Sequence, residues 1–194
     1  SPVEPYYKDS GMAMISLAVS EFDRAAPNGT GKYKAGANYA GGLLATLNAQ
    51  EKGANEALYL DSANNKFIDE AGSANIVVFT KDEKFLTPSS NAILPSITRR
   101  SIMELAKEEL NLVTVERPID LRGEFENFSE VAACGTAAVL APVGKVWFDE
   151  KWNFVSECQN DIGPVMPKLY ELLVGIQRGE VEDKYNWLHL VGLE

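Results

Sequence analysis

The stretch "KYKAGANY" at residues 32–39 sets two lysines among glycine, alanine and a single asparagine. Lys34 projects from its middle, and Tyr39 follows five residues later. A lysine acts as nucleophile or base only as the free amine. Its ordinary pKa of about 10.4 leaves roughly one in a few thousand uncharged at neutral pH. A lysine that forms a Schiff base must therefore be desolvated, or sit beside another cation or the imine system itself. A solvated loop lysine accounts for the same residues, and Lys32 competes for any role. The single histidine, His189, near the C-terminus, makes a Ser-His-Asp or Cys-His catalyst a poor reading. A base has to come from elsewhere, and lysine is the candidate.

Three turns add groups that suit an anion or a proton. In "LPSITRR" (94–100), Pro95 stiffens the entry to a helix and Ser96 stands where an N-cap belongs. The amides of Ile97 and Thr98 then fall in the first helical turn, without intrahelical acceptors and aimed out of the helix end. Thr98 adds a hydroxyl. An ordinary N-cap explains these residues with no ligand. In "CGTAAV" (134–139), a small-residue turn after a strand exposes the amides of Thr136 and Ala137, suited to a carboxylate or phosphate. Plain tight packing explains it equally well. In "DEAGSAN" (69–75), Glu70 ends a strand ahead of a glycine, where a solvated turn carboxylate is the default.

The elements that must position these groups follow from periodicity. Apolar runs of strand length stand at 11–20, 56–60, 66–70, 75–79, 84–87, 113–118, 130–134, 138–148 and 152–155, punctuated by turn residues. Tyr39, Leu43, Leu44 and Leu47 recur at helical intervals from about Asn38, and Gly53 supplies a stop. A second helix covers 97–110, with Ile102, Leu105 and Leu110 on roughly one face, and a third runs from about Gly163 to Gln177. Strands outnumber helices and run in meander-like clusters, so the class is α+β.

Composition narrows the partners. The 194 residues carry 18 basic and 28 acidic side chains, a net charge of −10, which repels nucleic acid and anionic lipid. No apolar run approaches the ~20 residues of a membrane helix, and none reads as a signal peptide. Cys134 and Cys158 form no metal set with His189, which favours a free-thiol, cytoplasmic protein over a disulfide-bonded secreted one. The opening "SPVEPYYKDS", residues 1–10, reads as a linker remnant leading into a single domain over 11–194.

Taken in order, "KYKAGANYAGG", "DEAGSANIVVF", "ILPSITRRSI", "ACGTAAVLAPVG" and "GPVMPKLYELLVGIQRGEVED" resemble the large, C-terminal domain of the branched-chain amino acid aminotransferases. These are fold-type IV enzymes that depend on pyridoxal 5'-phosphate. The resemblance runs from about Tyr6 to the end of the chain. It implies a strand-rich domain whose sheets form a pseudo-barrel with flanking helices.

The resemblance also implies roles. Lys34 matches the lysine that holds the cofactor as a Schiff base and later carries the substrate's α-proton. Tyr39 matches the tyrosine bonded to the cofactor's phenolic oxygen, and Glu70 the carboxylate beside the pyridine nitrogen, which keeps that nitrogen protonated. Leu94 packs on the ring, and Ile97 and Thr98 bind the phosphate, with the hydroxyl of Thr136 adding to it. The amides of Thr136 and Ala137 face the substrate carboxylate, while Ser73 and Asn75 line up near the cofactor. Ala37, Ala74 and Ser96 depart from residues the family often has. Ala138 and Ala141 stand where animal members carry a CxxC pair.

By the same resemblance, the substrates are branched-chain amino acids and 2-oxo acids, with leucine, isoleucine or valine giving its amino group to 2-oxoglutarate. The family pairs as a homodimer, and a preceding small domain, missing from this chain, completes the site. The 194 residues alone are thus expected to bind cofactor weakly and transaminate poorly. A D-amino acid aminotransferase or aminodeoxychorismate lyase is the alternative within the fold, and a non-catalytic binding scaffold the alternative outside it.

Overall fold

The computed structural model describes residues 12–155, 161–189 and 191. The expected linker at 1–10 and Cys158 lie outside the described residues. Short, largely buried runs become strands β1 (Ile15–Val19), β2 (Glu56–Leu60), β3 (Ile68–Ala71), β4 (Asn75–Thr80) and β5 (Lys84–Thr87). They are followed by β6 (Val113–Glu116), β7 (Phe128–Gly135), β8 (Val139–Phe148) and β9 (Lys151–Phe154). The helices are α1 (Gly36–Ala40), α2 (Gly42–Glu51), α3 (Ile97–Glu108), α4 (Leu121–Glu124) and α5 (Val165–Arg178). A 3-10 turn at Phe125–Asn127 links α4 to β7. Sequence periodicity does not single out α4 or this turn, because each is too short to show a repeat.

The strands form one curled, nine-stranded sheet in the order β3-β2-β1-β8-β7-β4-β5-β6, with β9 adding to β8. This is the expected α+β class. The expected meander is only part of the arrangement. Hairpins such as β4–β5 and β7–β8 are antiparallel, but β1 lies parallel to both β2 and β8, and β5 parallel to β6. Ile15 pairs with Val143 across most of the chain.

The period of two along central strands divides the core between the two faces of the sheet. On β4, Ile76 and Val78 join one cluster and Val77 the other; on β7, Val131 and Ala133 oppose Ala132 and Cys134. The second cluster is roofed by α3 and α5, through Ile102, Leu105, Leu169 and Leu173. Helix α2 turns the usual arrangement around. Ala45 and Ala49 pack inward with Ala57 and Tyr59, while Leu43, Leu44 and Leu47 are 66 %, 51 % and 48 % exposed. The leucine spacing locates the helix but not the face it buries. No helix among the described residues is long and apolar enough to cross a membrane.

Helix α5 starts against a buried acid. The amides of Val165 and Met166 donate to Glu130 Oε1 and Oε2, each at 2.9 Å, so a β7 carboxylate caps the helix from across the core. Gly163 passes so close to this side chain that a Cβ there would overlap Glu130 Cδ and Cγ. Glu130→Ala is expected to destabilise the fold by about 3 kcal/mol, since charged hydrogen bonds are lost and two amides are stranded. Urea unfolding followed by circular dichroism reads it, with Glu130→Gln falling between the variant and wild type.

Candidate active site

The loop bearing Lys34 is shaped from within. Asn38, buried in α1, donates through Nδ2 to the carbonyls of Thr30 and Tyr33 at 2.8 and 2.9 Å. Its Oδ1 accepts from Thr30 Oγ1 at 2.9 Å. This staple leaves Lys34 and Tyr39 exposed on the outer side, with Lys34 Nζ donating to Tyr39 Oη at 3.4 Å and lying 5.2 Å from the ring centre. Gly31 lets the loop come close to its neighbour. A Cβ there would stand 2.7 Å from Ala26 O and 2.8 Å from both Ala92 Cα and Asn91 O. Gly36, by contrast, has nothing within 4 Å of its built Cβ.

Glu70 sits near the end of β3 and Asn75 opens β4, so a tight turn through Gly72 folds the two side chains together. Asn75 Nδ2 donates to Glu70 Oε2 at 2.7 Å, and the amide of Leu94 reaches the same oxygen at 3.3 Å. The other oxygen, Oε1, meets Arg24 Nη2 at 2.5 Å in a pair whose side chains are 3 % and 4 % exposed. Arg24 Nη2 also donates to the carbonyls of Ala92 at 2.6 Å and Gly31 at 3.1 Å. Burial pushes the Glu70 carboxyl up to about 7, against the downward pull of the Arg24 guanidinium and the Leu94 amide. The expectation of a solvated turn carboxylate is thereby overturned: Glu70 is 3 % exposed.

Two more donor sets lie nearby in the chain fold. Ser96 Oγ accepts from the amide of Arg99 at 3.2 Å, so the N-cap is real. The cap satisfies Arg99 and leaves the amides of Ile97 and Thr98 with no acceptor among the described residues. Thr136 and Ala137 occupy the exposed turn between β7 and β8. That turn ends at Val139 with φ 55, a left-handed conformation that strains a β-branched residue. Pairing of Asn75 with Cys134 sets this turn beside the β3–β4 turn, and Gly135 runs close enough for a built Cβ to stand 3.7 Å from Ser73 O.

Direct contacts thus join Lys34 with Tyr39, and Glu70 with Asn75 and Leu94. Sheet register brings the Ser73 and Thr136 turns alongside each other. Ile97 and Thr98 follow Leu94 in the chain, and Arg24 ties the lysine loop to that same segment. A cavity of about 210 Å³ is shared by Arg24, Tyr39 and Ser73. A larger cleft of about 700 Å³ lies between α3, α5 and the segment with Tyr185 and Trp187; it touches Ile97 but neither the lysine nor the carboxylate.

The family model for amino-transferase class IV matches residues 1–146. The chain belongs to the class IV aminotransferases. The branched-chain-amino-acid aminotransferase of Haemophilus influenzae is 42 % identical to this class IV chain over 192 residues, 96 % of the chain and 55 % of that enzyme. The solved branched-chain amino acid aminotransferase of Escherichia coli matches with TM-score 0.77 and 36 % identity, over 91 % of this chain and 57 % of that one. The PLP form of the Thermobaculum terrenum enzyme matches with TM-score 0.75 and 26 % identity, over 87 % and 52 %. The chain spans about half the length of the relatives it matches.

Two residues that shape this site escape sequence reading. Arg24 lies in "DRAAPNGTG", which reads only as a turn; its signal is a lone arginine among small residues. Asn38 is a poor helix former placed in a helix start, the usual mark of a side chain bonding to nearby backbone.

Gly31→Ala is expected to force the lysine loop away from the Asn91–Ala92 backbone and to lower stability by about 1–3 kcal/mol. A urea denaturation midpoint measures it, and Gly36→Ala is the unaffected control. Glu70 gives a pH signature. Its folded value, about 7, lies above the ordinary 4.5, so the stability it confers is full below pH 4.5 and is lost as pH rises through about 7. Glu70→Gln should flatten that fall by up to roughly 3 kcal/mol, read as the difference in unfolding free energy between pH 5 and pH 8 for the two proteins.

Proposed function

We propose that the protein to which this chain belongs is a pyridoxal-phosphate-dependent branched-chain amino acid aminotransferase, with residues 11–194 as its large, cofactor-binding domain. The carrying observation is the Leu94 amide on Glu70 Oε2. It sets a buried carboxylate a few residues from the free amides of Ile97 and Thr98, while Arg24 draws the lysine loop to the same place. A carboxylate, an anion-binding helix end and an amine paired with a phenol suit a small ring that carries a basic nitrogen, a phosphate and an aldehyde. The PLP form of the Thermobaculum terrenum relative supports the same cofactor here.

When bound, the cofactor supplies an electron-accepting ring for the substrate's α-carbon. On this reading, Lys34 holds the cofactor's aldehyde end and, once free, moves the proton at the substrate's α-carbon. Tyr39 orients that amine and bonds the ring's phenolic oxygen. Glu70, aimed by Asn75 and Leu94, accepts a hydrogen bond from the ring nitrogen and keeps it charged. Ile97 and Thr98 hold the phosphate, aided by the Thr136 hydroxyl, and the turn amides of Thr136 and Ala137 take the substrate carboxylate. Ser73 borders the cavity next to Tyr39.

Leucine, isoleucine and valine are the proposed donors and 2-oxoglutarate the acceptor. The names of the related enzymes support branched-chain donors over the D-amino acid or lyase reading. A small domain beyond this chain and a second copy in a homodimer complete the protein. The exposed leucines of α2, next to Tyr39 and Lys34, support such a cover. A cytoplasmic site of action belongs to the same proposal, and Cys134, free and buried, suits a reducing compartment.

Incubation with pyridoxal phosphate, borohydride reduction and peptide mapping should place the label on Lys34 and not on Lys32 or scattered surface lysines. In the full-length enzyme, Lys34→Ala should lower turnover of leucine with 2-oxoglutarate by at least about a hundredfold. Label spread evenly over surface lysines would overturn the reading.

A further inference from the structure

We propose that Arg24 is the positioning residue of this site: it sets the charge and aim of Glu70 and clamps the Lys34 loop to the loop that enters α3. The inference deepens the aminotransferase reading and rests on it for its meaning, though not for its test.

The geometry is a closed circuit. A single guanidinium nitrogen, Nη2, meets three acceptors from three segments: Glu70 Oε1 on β3 at 2.5 Å, Ala92 O at 2.6 Å and Gly31 O at 3.1 Å. Gly31 precedes Lys34 by three residues, and Ala92 precedes Leu94 by two. The Leu94 amide returns to the other oxygen of Glu70 at 3.3 Å, closing the loop of contacts. An ion pair serving only stability has no need to collect one carbonyl from each of the two loops that carry the amine and the helix entrance. Gly31 is shaped for the same closure, since any side chain there would strike the Asn91–Ala92 backbone.

The charge argument has the same centre. Burial drives Glu70 towards its neutral form, and Asp69 beside it pushes the same way. Across the sheet, Cys134 is itself kept a neutral thiol by burial, at about 12, and supplies no positive charge. Arg24 is the cation whose pull on Glu70 opposes them. Its presence decides which way the hydrogen bond to a ring nitrogen points. An ionised Glu70 accepts from a protonated ring and stabilises its charge, whereas a neutral one brings an O–H that donates to an unprotonated ring. A lysine would bring the charge but, as a compact ammonium on a flexible stem, would not hold one nitrogen at the fixed point where all three acceptors meet.

The test uses the full chain with carboxyl-labelled glutamate, and the Glu70 resonance is assigned by its loss in Glu70→Gln. In the wild type, Glu70 should titrate near pH 7. In Arg24→Gln its transition should rise by at least about one pH unit, and in Arg24→Lys it should return most of the way. Co-titration of Arg24→Gln with the wild type overturns the proposal. Should Arg24→Gln fail to fold, Arg24→Lys decides through amide exchange. Residues 31–34 and 92–94 should exchange about tenfold faster while α5 does not. Uniform exchange, or none altered, counts against the clamp. Neither readout needs cofactor, so failure of labelling at Lys34 in the full-length enzyme would remove the aminotransferase reading and leave the Arg24 result standing or falling by itself.

Discussion

A carboxylate and a guanidinium share the interior between β3 and two long loops, and their pairing sets the terms for everything around them. Withdrawing each charge from water costs several kcal/mol, and mutual attraction offsets this only where geometry and further hydrogen bonds are complete. Glu70 satisfies the condition with Arg24 on one oxygen and Asn75 and Leu94 on the other. Arg24 satisfies it with two backbone carbonyls, although its Nε, like Asn75 Oδ1, is buried without a partner among the described residues. Loss of one partner alone would strand a buried charge, typically worth about 3–5 kcal/mol. The loops therefore have no freedom to open while the pair persists.

Given that closure, strand register does the remaining placement. The step from Glu70 to Asn75 crosses a single tight turn, and the pairing of Asn75 with Cys134 fixes the next turn, at Thr136, beside it. A slip of one residue on β4 would exchange Ile76 and Val78 with Val77 between the two core clusters, so the register is held by burial on both faces. The glycines around Lys34 divide in function. Gly31 permits a close backbone approach, whereas Gly36 and Gly41 leave open space near the amine.

Local chemistry was the legible part of the site. Ser96 announces its cap, and the cap itself dictates which amides stay free; the strands at 56–60 and 84–87 fall where their short apolar runs between turn residues place them. What sequence reading missed is non-local. No periodicity reveals that β1 lies between β2 and β8, because Leu17 pairs with Glu56 and Ile15 with Val143, partners far along the chain that no local pattern links. Arg24 was hidden for the same reason: its partners are a strand end and two loops, and nothing near residue 24 names them. The leucines of α2 show the converse limit. A 3.6-residue repeat reports that one face is apolar, but the alanine face packs on Ala57 and Tyr59, where a close approach to the sheet admits only a methyl.

These features make the site asymmetric, and the asymmetry has a chemical consequence. Its carboxylate side is dry, so charge interactions there are strong; its amine side, with Lys34 and Tyr39, faces water, where the same interactions weaken several-fold. On the proposed reading, proton transfer at carbon needs the amine side dry as well. The adjoining leucines supply the driving force for that change. Burying Leu43, Leu44 and Leu47 is worth about 1.5–3 kcal/mol each if complete, less in proportion to the part already covered. A cover drawn onto α2 by its leucines would also shut water away from Tyr39 and Lys34, because the lysine loop, α1 and α2 follow one another directly and leave all five residues exposed. On that reading, apolar association and activation of the amine become a single event.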